Sequence, residues 1–346
     1  MNILTIHSAY AHHSENSGYK QILKFIKPKH SLQYNERDLS DKNWFQLRYR
    51  WSIEFEIRKY LKETDLIHVL YGEEYLRFTP FLYPKKPLVV TFHLPPSTLK
   101  QHLEIGNGMG KIDSLTHKLT KARFQKIDRV IITEKNQSEA LNGIIPEEKI
   151  RVIPLGIYLN DFFDAHKTFS ADNLKREDKV IVLGNWLRDW GLLKAVANLL
   201  NNKGVKVHLV GRNIPKEIKA DLSAIKNIQI EKDLTDLELK KLLYSCKVSF
   251  LPLKEAAGNN ALMESLAMGC HVVMSDVVST QFPFKSNALN LINNTTPEKF
   301  VSKVLEIYNL SQSDYDSFAK QGQDSVMPYE WSQVAKKTIE VYKELV

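Results

Sequence analysis

One segment in the second half of the chain contains the residues best suited to bind a ligand. It runs from Val248 to Asp276 and reads VSFLPLKEAAGNNALMESLAMGCHVVMSD. The pattern predicts a buried strand, a turn of small residues, a helix and a second strand. Gly258, Asn259 and Asn260 would open the helix, and the free amides of a helix N-terminus bind anions. The segment therefore predicts an anion site, although Asn259 and Asn260 could also be ordinary N-caps.

Glu264 follows about one turn further into the same predicted helix. From there its carboxylate could accept hydrogen bonds from two ribose hydroxyls, while the start of the helix holds phosphate. The alternative is a carboxylate that merely covers the helix surface. The chemistry that these residues suggest is an anion held at the helix start, with hydroxyl groups held by the carboxylate.

Short apolar runs alternate with longer helical patterns along most of the chain, which predicts βαβ units and mainly parallel sheets. The strand candidates are residues 2–7, 66–71, 87–92, 129–133, 151–153, 179–184, 205–210, 227–230, 247–252 and 271–275.

The length of 346 residues suggests two domains. The polar stretch 160–178 lacks sustained periodicity, so we interpret it as the linker between them. We expect an α/β protein with two Rossmann-like, doubly wound domains that face a central cleft. Ligands should bind there, at the carboxyl ends of the strands.

Composition excludes several classes of protein. Hydrophobic residues make up 43% and charged residues 25%, so the bulk of the chain is not intrinsically disordered. No apolar run approaches the roughly 20 residues that a membrane-spanning helix needs. The N-terminus lacks the layout of a signal peptide, from which we expect a cytoplasmic location. Neither the acidic pair Asp314 and Asp316 nor His12 with His13 has the context of a metal site, so we expect no metal.

Basic charge is concentrated in the first half. Residues 1–160 hold 24 Lys and Arg against 17 Asp and Glu, which accounts for +7 of the net charge of +8. Such an excess suggests an anionic partner, although it can also serve solubility alone. Residues 111–126 combine an apolar stripe with Lys118, Lys121, Arg123 and Lys126. A basic amphipathic helix of this kind either lies on an anionic membrane surface or covers a sheet.

Several motifs resemble glycosyltransferase family 4 in their order and spacing. Glu264-Ser-Leu-Ala-Met-Gly-Cys-His-Val-Val resembles the second half of the family's double-glutamate motif, with His271 in place of proline. Val89-Val-Thr-Phe-His93 resembles the strand end that carries the family's active-site histidine. Asn16-Ser17-Gly18 resembles the loop that approaches the donor phosphates. Lys149 to Ile157 resembles the end of the first domain, and Tyr329 to Tyr342 the C-terminal helix that returns to it.

The resemblance implies a GT-B fold with three parts. These are an acceptor-binding domain (1–160), a nucleotide-sugar-binding domain (161–329) and a helix that crosses back to the N-terminal domain (330–346). It also implies transfer of a sugar with retention of configuration and no cofactor besides the nucleotide-diphosphate sugar. His93 would orient the sugar or the acceptor, Gly18 would approach the donor, and Gly258, Asn259, Asn260 and Glu264 would bind it. His93 could instead be structural, and Gly18 could serve only a turn.

Two departures from the family pattern concern charged residues. Strict spacing places the first glutamate of the motif at Ala256, whereas the carboxylate is at Glu255, which would then position sugar hydroxyls. After the strand 179–184, Asn185 and Trp190 replace the cations expected on the diphosphate, so Arg188 is the candidate for that role. Arg188 could instead be a surface residue paired with Asp189. Arg212 contacts the donor or is exposed to solvent; both alternatives stay open.

The expected function is thus a glycosyltransferase of glycan synthesis. Its acceptor would be a glycan or a lipid-linked molecule. Residues 111–126 would bring the enzyme to the inner membrane face. We do not expect nucleic acid as the partner. The alternatives are a nucleotide-sugar epimerase on the same fold and a non-catalytic homologue that binds polyanions.

Overall fold

The computed structural model describes residues 1–9, 18–35, 52–103, 121–211, 213–277, 286–293 and 296–346. The chain forms two compact units. The first combines Met1–Gly156 with Trp331–Val346, and the second is Ile157–Glu330.

The described residues of the first unit form a six-stranded parallel sheet with the order β2-β1-β3-β4-β5-β6. Its strands are β1 Ile3–Ala9, β2 His30–Asn35, β3 Leu66–Val69, β4 Leu88–Phe92, β5 Arg129–Ile132 and β6 Ile150–Val152. Its α-helices are Leu23–Ile26, Gly72–Tyr75, Thr79–Leu82, Pro96–Leu103, Gln137–Leu141 and Trp331–Lys343, with further helical residues at 52–56 and 121–125.

The second unit contains a six-stranded parallel sheet as well, with the order β12-β11-β10-β7-β8-β9. Its strands are β7 Glu177–Leu183, β8 Lys206–Val210, β9 Ile228–Glu231, β10 Cys246–Leu251, β11 His271–Ser275 and β12 Leu289–Ile292. Its α-helices are Leu159–Ala171, Trp190–Asn201, Lys216–Ser223, Asp236–Ser245, Asn260–Ala267, Pro297–Tyr308 and Gln312–Ser325. The two-domain α/β fold expected from the sequence is therefore confirmed.

The core of the second unit explains why β7 ends in an uninterrupted apolar run, Val180–Leu183. Val180 and Val182 pack into a cluster with Phe250 and Phe300 on one face of the sheet. Ile181 and Leu183 pack into a second cluster on the opposite face. Successive side chains of a strand point to opposite faces, so a sheet covered on both sides needs apolar residues at every position.

The predicted linker over 160–178 is wrong. Leu159–Ala171 is a helix of the second unit, and β7 begins at Glu177. The helix places Phe162, Ala165 and Phe169 against the apolar cluster around Ile181. Its other positions are largely polar, and this narrow apolar stripe is why the segment resembled a linker in the sequence.

The C-terminal helix, Trp331–Lys343, belongs to the first unit. It buries Trp331, Val334, Thr338 and Tyr342, which lie on one helical face. Just beyond the helix, Oε2 of Glu344 lies 2.7 Å from Nε of Arg129, and the same carboxylate also forms an ion pair with Arg151. These hydrogen bonds lower the pKa of Glu344 to about 2.

The basic segment 111–126 lies largely outside the described residues, which resume at Lys121. Lys121 and Lys126 are exposed, whereas Arg123 is half-buried and burial lowers its pKa to about 10. Within the described part of the chain, no helix has the length and apolar character needed to cross a bilayer.

Candidate functional site

The second sheet has a topological switch point between β7 and β10. From β7 the chain continues outward through β8 and β9, whereas β10 starts the opposite half of the sheet. In such open sheets, ligands bind in the crevice at the carboxyl ends of the strands that flank this point. The loops that follow β7 and β10 are therefore the walls of the candidate site.

Backbone hydrogen bonds join these two loops. The amide of Asp189 donates to the carbonyl of Pro252 at 2.8 Å, and the amide of Lys254 donates to the carbonyl of Leu187 at 3.0 Å. Between them, Arg188 and Leu253 form an isolated antiparallel bridge. The fold thus brings Arg188 into the same wall as the segment that leads to Glu255.

A third loop, which follows β8, adjoins the first. The amide of Gly184 donates to the carbonyl of Val210 at 2.8 Å, and Nδ2 of Asn185 donates to the carbonyl of Asn213 at 3.1 Å. Arg212, which the sequence suggested as a donor ligand, lies outside the described residues.

Arg188 is neither on the surface nor paired with Asp189. Its side chain is 8% exposed, and its Nε and Nη2 both donate to the carbonyl of Leu183, while Nη1 donates to the carbonyl of Trp186 at 3.0 Å. Burial lowers its pKa to about 10, so the guanidinium remains charged at neutral pH. Asp189 instead caps the next helix by accepting from the amide of Leu192. A role for Arg188 on the diphosphate stays a prediction, since these bonds use three of its five N–H donors.

The helix Asn260–Ala267 starts directly at this wall. Oδ1 of Asn259 accepts from the amide of Leu262 at 3.1 Å, which makes Asn259 the N-cap. Gly258 has φ 77°, a left-handed conformation that favours glycine. The amides of Asn260 and Ala261 form no hydrogen bond to another described residue, so they can receive an anion.

Two carboxylates flank this helix start. Glu255 lies half-buried between the bridge residue Leu253 and the N-cap. Glu264 is half-buried on the helix, and burial, together with the nearby Asp236, raises its pKa to about 7, which Lys240 partly opposes. A carboxyl with this pKa is partly protonated and partly ionised near neutral pH, so a bound ligand can shift its charge.

In the first unit, His93 follows the carboxyl end of β4 and is half-buried. Its Nε2 donates to the carbonyl of Leu70 at 2.7 Å, and its ring lies 4.4 Å from the ring of Tyr19 and 4.7 Å from that of Tyr71. Burial lowers its pKa to about 4, so the ring is neutral at pH 7 and Nδ1 keeps its lone pair.

Gly18 lies close to this histidine because it immediately precedes Tyr19. Gly18 has φ 85° and forms the N-cap of the short 3-10 helix Tyr19–Ile22. The other two residues of the proposed phosphate loop, Asn16 and Ser17, lie outside the described residues.

Sequence reasoning missed several neighbours of these residues. Trp186 is 56% exposed at the tip of the loop after β7, and Lys254 is exposed next to Glu255. Close to Glu264, Lys240 forms an ion pair of 2.6 Å with Asp161. Trp186 and Lys254 lie within segments that the sequence had already indicated, whereas the pairing of Lys240 with Asp161 depends on two helices far apart in the chain.

A family model matches part of the chain. The model described as "Glycosyl transferases group 1" matches residues 179–309, which include the whole wall described above. A comparison with curated protein sequences gave no match.

Solved structures match over nearly the whole chain. A glycosyltransferase from Rickettsia africae is 17% identical, with 99% of this chain and 98% of that chain covered and a TM-score of 0.68. Anabaena Alr3699/HepE, solved in complex with UDP and glucose, is 13% identical, with both chains fully covered and a TM-score of 0.71. The α,α-trehalose 6-phosphate synthase from Burkholderia multivorans is 11% identical, with 99% and 98% covered and a TM-score of 0.71. The fold is that of the GT-B glycosyltransferases.

The group 1 match spans β7 to the helix Pro297–Tyr308 and therefore includes both strands at the switch point. Among the described residues there is no group of three or more His, Cys, Asp or Glu side chains arranged to hold a metal ion. Of the residues that the structure describes there, the helix amides, Arg188 and Lys254 could meet an anionic ligand.

Proposed function

We propose that this protein is a glycosyltransferase that moves a sugar from a nucleotide-diphosphate sugar to a hydroxyl acceptor. The observation that carries the proposal is the wall at the switch point of the second unit, where a helix with free amides starts beside two carboxylates. The group 1 match over residues 179–309 supports the same assignment.

In this proposal different residues bind the phosphate, the nucleoside and the sugar of the donor. The helix start at Gly258–Asn260 receives the diphosphate, with the free amides of Asn260 and Ala261 as donors that stabilise the charge developing as it leaves. Glu264 accepts the ribose hydroxyls, and Glu255 positions hydroxyls of the transferred sugar. Arg188 acts on the diphosphate with the N–H groups that its loop does not use.

His93 and Gly18 are proposed to act from the first unit. The neutral ring of His93 cannot stabilise a developing negative charge as a cation would. Its Nδ1 can accept a hydrogen bond from a hydroxyl of the sugar or the acceptor, which orients that group. Gly18 would let the backbone approach the donor.

The same proposal has four further parts. The enzyme transfers the sugar with retention of configuration, needs no metal ion, belongs to family 4 and serves glycan synthesis. The acceptor is proposed to be a glycan or a lipid-linked molecule, and the protein a cytoplasmic enzyme that associates with the inner membrane face. Exposed apolar side chains in the first unit support membrane association: Phe78 is 38%, Phe81 43% and Leu82 43% exposed. The ammonium of Lys126 lies 5.7 Å from the ring centroid of Phe81, which places a cation at this patch.

The decisive experiment is a titration of the purified protein with nucleotides and nucleotide sugars by calorimetry, beginning with UDP and UDP-glucose. A ligand that binds is then incubated with candidate acceptors, with and without EDTA, and the anomeric configuration of the product is read by NMR. We expect micromolar binding, transfer with retention and no effect of EDTA. Failure of every nucleotide and nucleotide sugar to bind would overturn the proposal.

The same assay separates the alternatives. An epimerase would convert the free nucleotide sugar into its epimer without an acceptor. A non-catalytic homologue would turn over no donor and would bind polyanions with an affinity that falls steeply as salt rises.

A further inference from the structure

The loop after β7 presents one large aromatic side chain to solvent. Trp186 is 56% exposed, whereas Trp331 is buried and Trp190 packs against the core of the second unit. The loop lies at the switch point, beside the segment that leads to the helix Asn260–Ala267. An exposed indole at this place is available to a ligand in the crevice.

The backbone on both sides of Trp186 is held in one conformation. Gly184 has φ 78° and Leu187 has φ 53°, and a left-handed conformation is rare for a side chain as bulky as leucine. The buried Arg188 donates to the carbonyl of Trp186 itself, and the carbonyl of Leu187 accepts from the amide of Lys254. Backbone strain of this kind persists only where the surrounding structure enforces it, and it concentrates at functional sites.

The polar groups of this loop are largely engaged within the protein. Nδ2 of Asn185 donates to the carbonyl of Asn213, and Arg188 uses three of its N–H groups on main-chain carbonyls. What the loop tip offers to a ligand is therefore mainly the flat indole of Trp186. A flat, apolar face with electron density above the ring suits a ligand that has an apolar face of C–H groups and hydroxyls only at its edge.

We propose that Trp186 is a stacking platform for the pyranose ring of a sugar substrate. The C–H face of a pyranose matches the indole face, while its hydroxyls remain at the rim, where polar groups and water can bind them. The inference rests on the proposed function and extends it, because it assigns a sugar-binding role to a residue of the loop after β7. The sugar is either the one carried by the donor or the one that accepts it.

The test compares wild type with Trp186→Phe, Trp186→Ala and the control Trp190→Phe. Binding of UDP, UDP-glucose and free glucose is measured by calorimetry, and tryptophan emission is recorded in the same titrations. We expect glucose or UDP-glucose to change the wild-type emission, and this change to be retained in Trp190→Phe and absent from both Trp186 variants. Trp186→Ala should lose about tenfold or more in sugar affinity, with Trp186→Phe between it and wild type, and all should bind UDP equally.

The two sources of the sugar give different patterns. If the donor carries it, Trp186→Ala weakens the binding of UDP-glucose but not of UDP. If the acceptor carries it, Trp186→Ala weakens the binding of glucose in the presence of UDP and leaves that of UDP-glucose unchanged.

Two results would contradict the proposal that Trp186 is a stacking platform. One is a wild-type emission that responds to no sugar, free or nucleotide-linked. The other is an equal loss of UDP and UDP-glucose binding in Trp186→Ala, which would make Trp186 a nucleobase platform. Failure of the proposed function looks different, because wild type would then bind neither UDP nor UDP-glucose, and the response to free glucose alone would decide the role of Trp186.

Discussion

The guanidinium of Arg188 donates two hydrogen bonds to the carbonyl oxygen of Leu183, the last residue of β7. This contact closes the loop that follows the strand. Gly184 at its start has φ 78°, which favours glycine, and a Cβ there would lie 2.9 Å from Nη2 of Arg188, which would have to shift. The arginine therefore determines the shape of the loop that presents Trp186, whatever it also does for a ligand.

We expect Arg188→Ala to destabilise the protein, because the buried carbonyl of Leu183 would lose its side-chain donors. The loss should be about 1–3 kcal/mol in the free energy of unfolding. Arg188→Lys should restore little of it, since a single ammonium cannot reproduce the fork of Nε and Nη2. Denaturant unfolding measures both variants, with the exposed Lys203→Ala as control.

A role of Arg188 on the diphosphate alone makes a different prediction. In that case Arg188→Ala would leave stability unchanged and would reduce turnover more than donor affinity. A variant as stable as wild type would contradict the structural role described here.

The raised pKa of Glu264 predicts that donor binding depends on pH. If the ionised carboxylate accepts the ribose hydroxyls, a ligand must displace the proton that the free protein holds below about pH 7. The affinity for UDP-glucose should then rise as the pH increases through 7, because the diphosphate of this donor has no group that titrates there. Calorimetry in two buffers of different ionisation enthalpy would detect the released proton, and Glu264→Gln should bind weakly with no pH dependence.

The same pKa also predicts the sign of a stability change. The folded pKa of about 7 lies above the unfolded value of 4.5, so the folded state holds more protons between these values. The contribution of Glu264 to stability is therefore lost as the pH rises through this window, by up to about 3 kcal/mol. The free energy of unfolding of Glu264→Gln, taken relative to wild type, should therefore be higher at about pH 8.5 than at about pH 5. An equal difference at both pH values would mean that Glu264 is already ionised in the free protein.

The sequence indicated most of the fold because a buried parallel strand has a distinctive composition. Ten of the strands lie within a few residues of the predicted ranges, and each of these ranges is rich in Val, Ile and Leu. The other two, β2 and β12, are the outermost strands on one side of their sheets. β2 reads HSLQYN, since an edge strand needs fewer apolar residues, and its polar side chains gave no strand pattern.

The candidate site was only partly predictable. The helix start at Asn259 and the carboxylate of Glu264 follow from local spacing, because a helix cap and its first turns are set within a few residues. The hydrogen bonds that Arg188 donates to carbonyls of its own loop could not be predicted, because they depend on the left-handed backbone of Leu187. Likewise, the burial that lowers the pKa of His93 involves Tyr19 and Tyr71, which the sequence places far from it.

A buried hydrogen bond predicts that the first unit depends on the C-terminal helix. The hydroxyl of Tyr342 lies 2.6 Å from Nδ1 of His68, and Nε2 of His68 lies 2.8 Å from Oγ1 of Thr91. Burial lowers the pKa of His68 to about 3, so the ring is neutral and needs a partner at each nitrogen. Tyr342→Phe would leave one nitrogen unsatisfied, which should cost about 1–3 kcal/mol of unfolding free energy.

The control for this prediction is Tyr308→Phe. The hydroxyl of Tyr308 is also buried, but it has no hydrogen-bond partner among the described residues. Its removal should therefore leave the stability unchanged or raise it. Equal losses in the two variants, measured by denaturant unfolding, would show that the contact with His68 contributes nothing specific.

The last prediction concerns the membrane. If the basic segment 111–126 docks on anionic lipid, each cation near the surface should add about 1 kcal/mol, and salt should weaken the attraction. The protein should then sediment with vesicles that contain phosphatidylserine and not with purely zwitterionic ones. Replacing Lys118, Lys121 and Lys126 with Gln should abolish sedimentation without changing donor turnover in solution, while Arg123 is kept because it is half-buried. A variant with three exposed lysines of the second unit replaced in the same way serves as the control. Equal partitioning to both kinds of vesicle, or to neither, would reject electrostatic docking, and the basic charge would then be assigned to a soluble anionic acceptor.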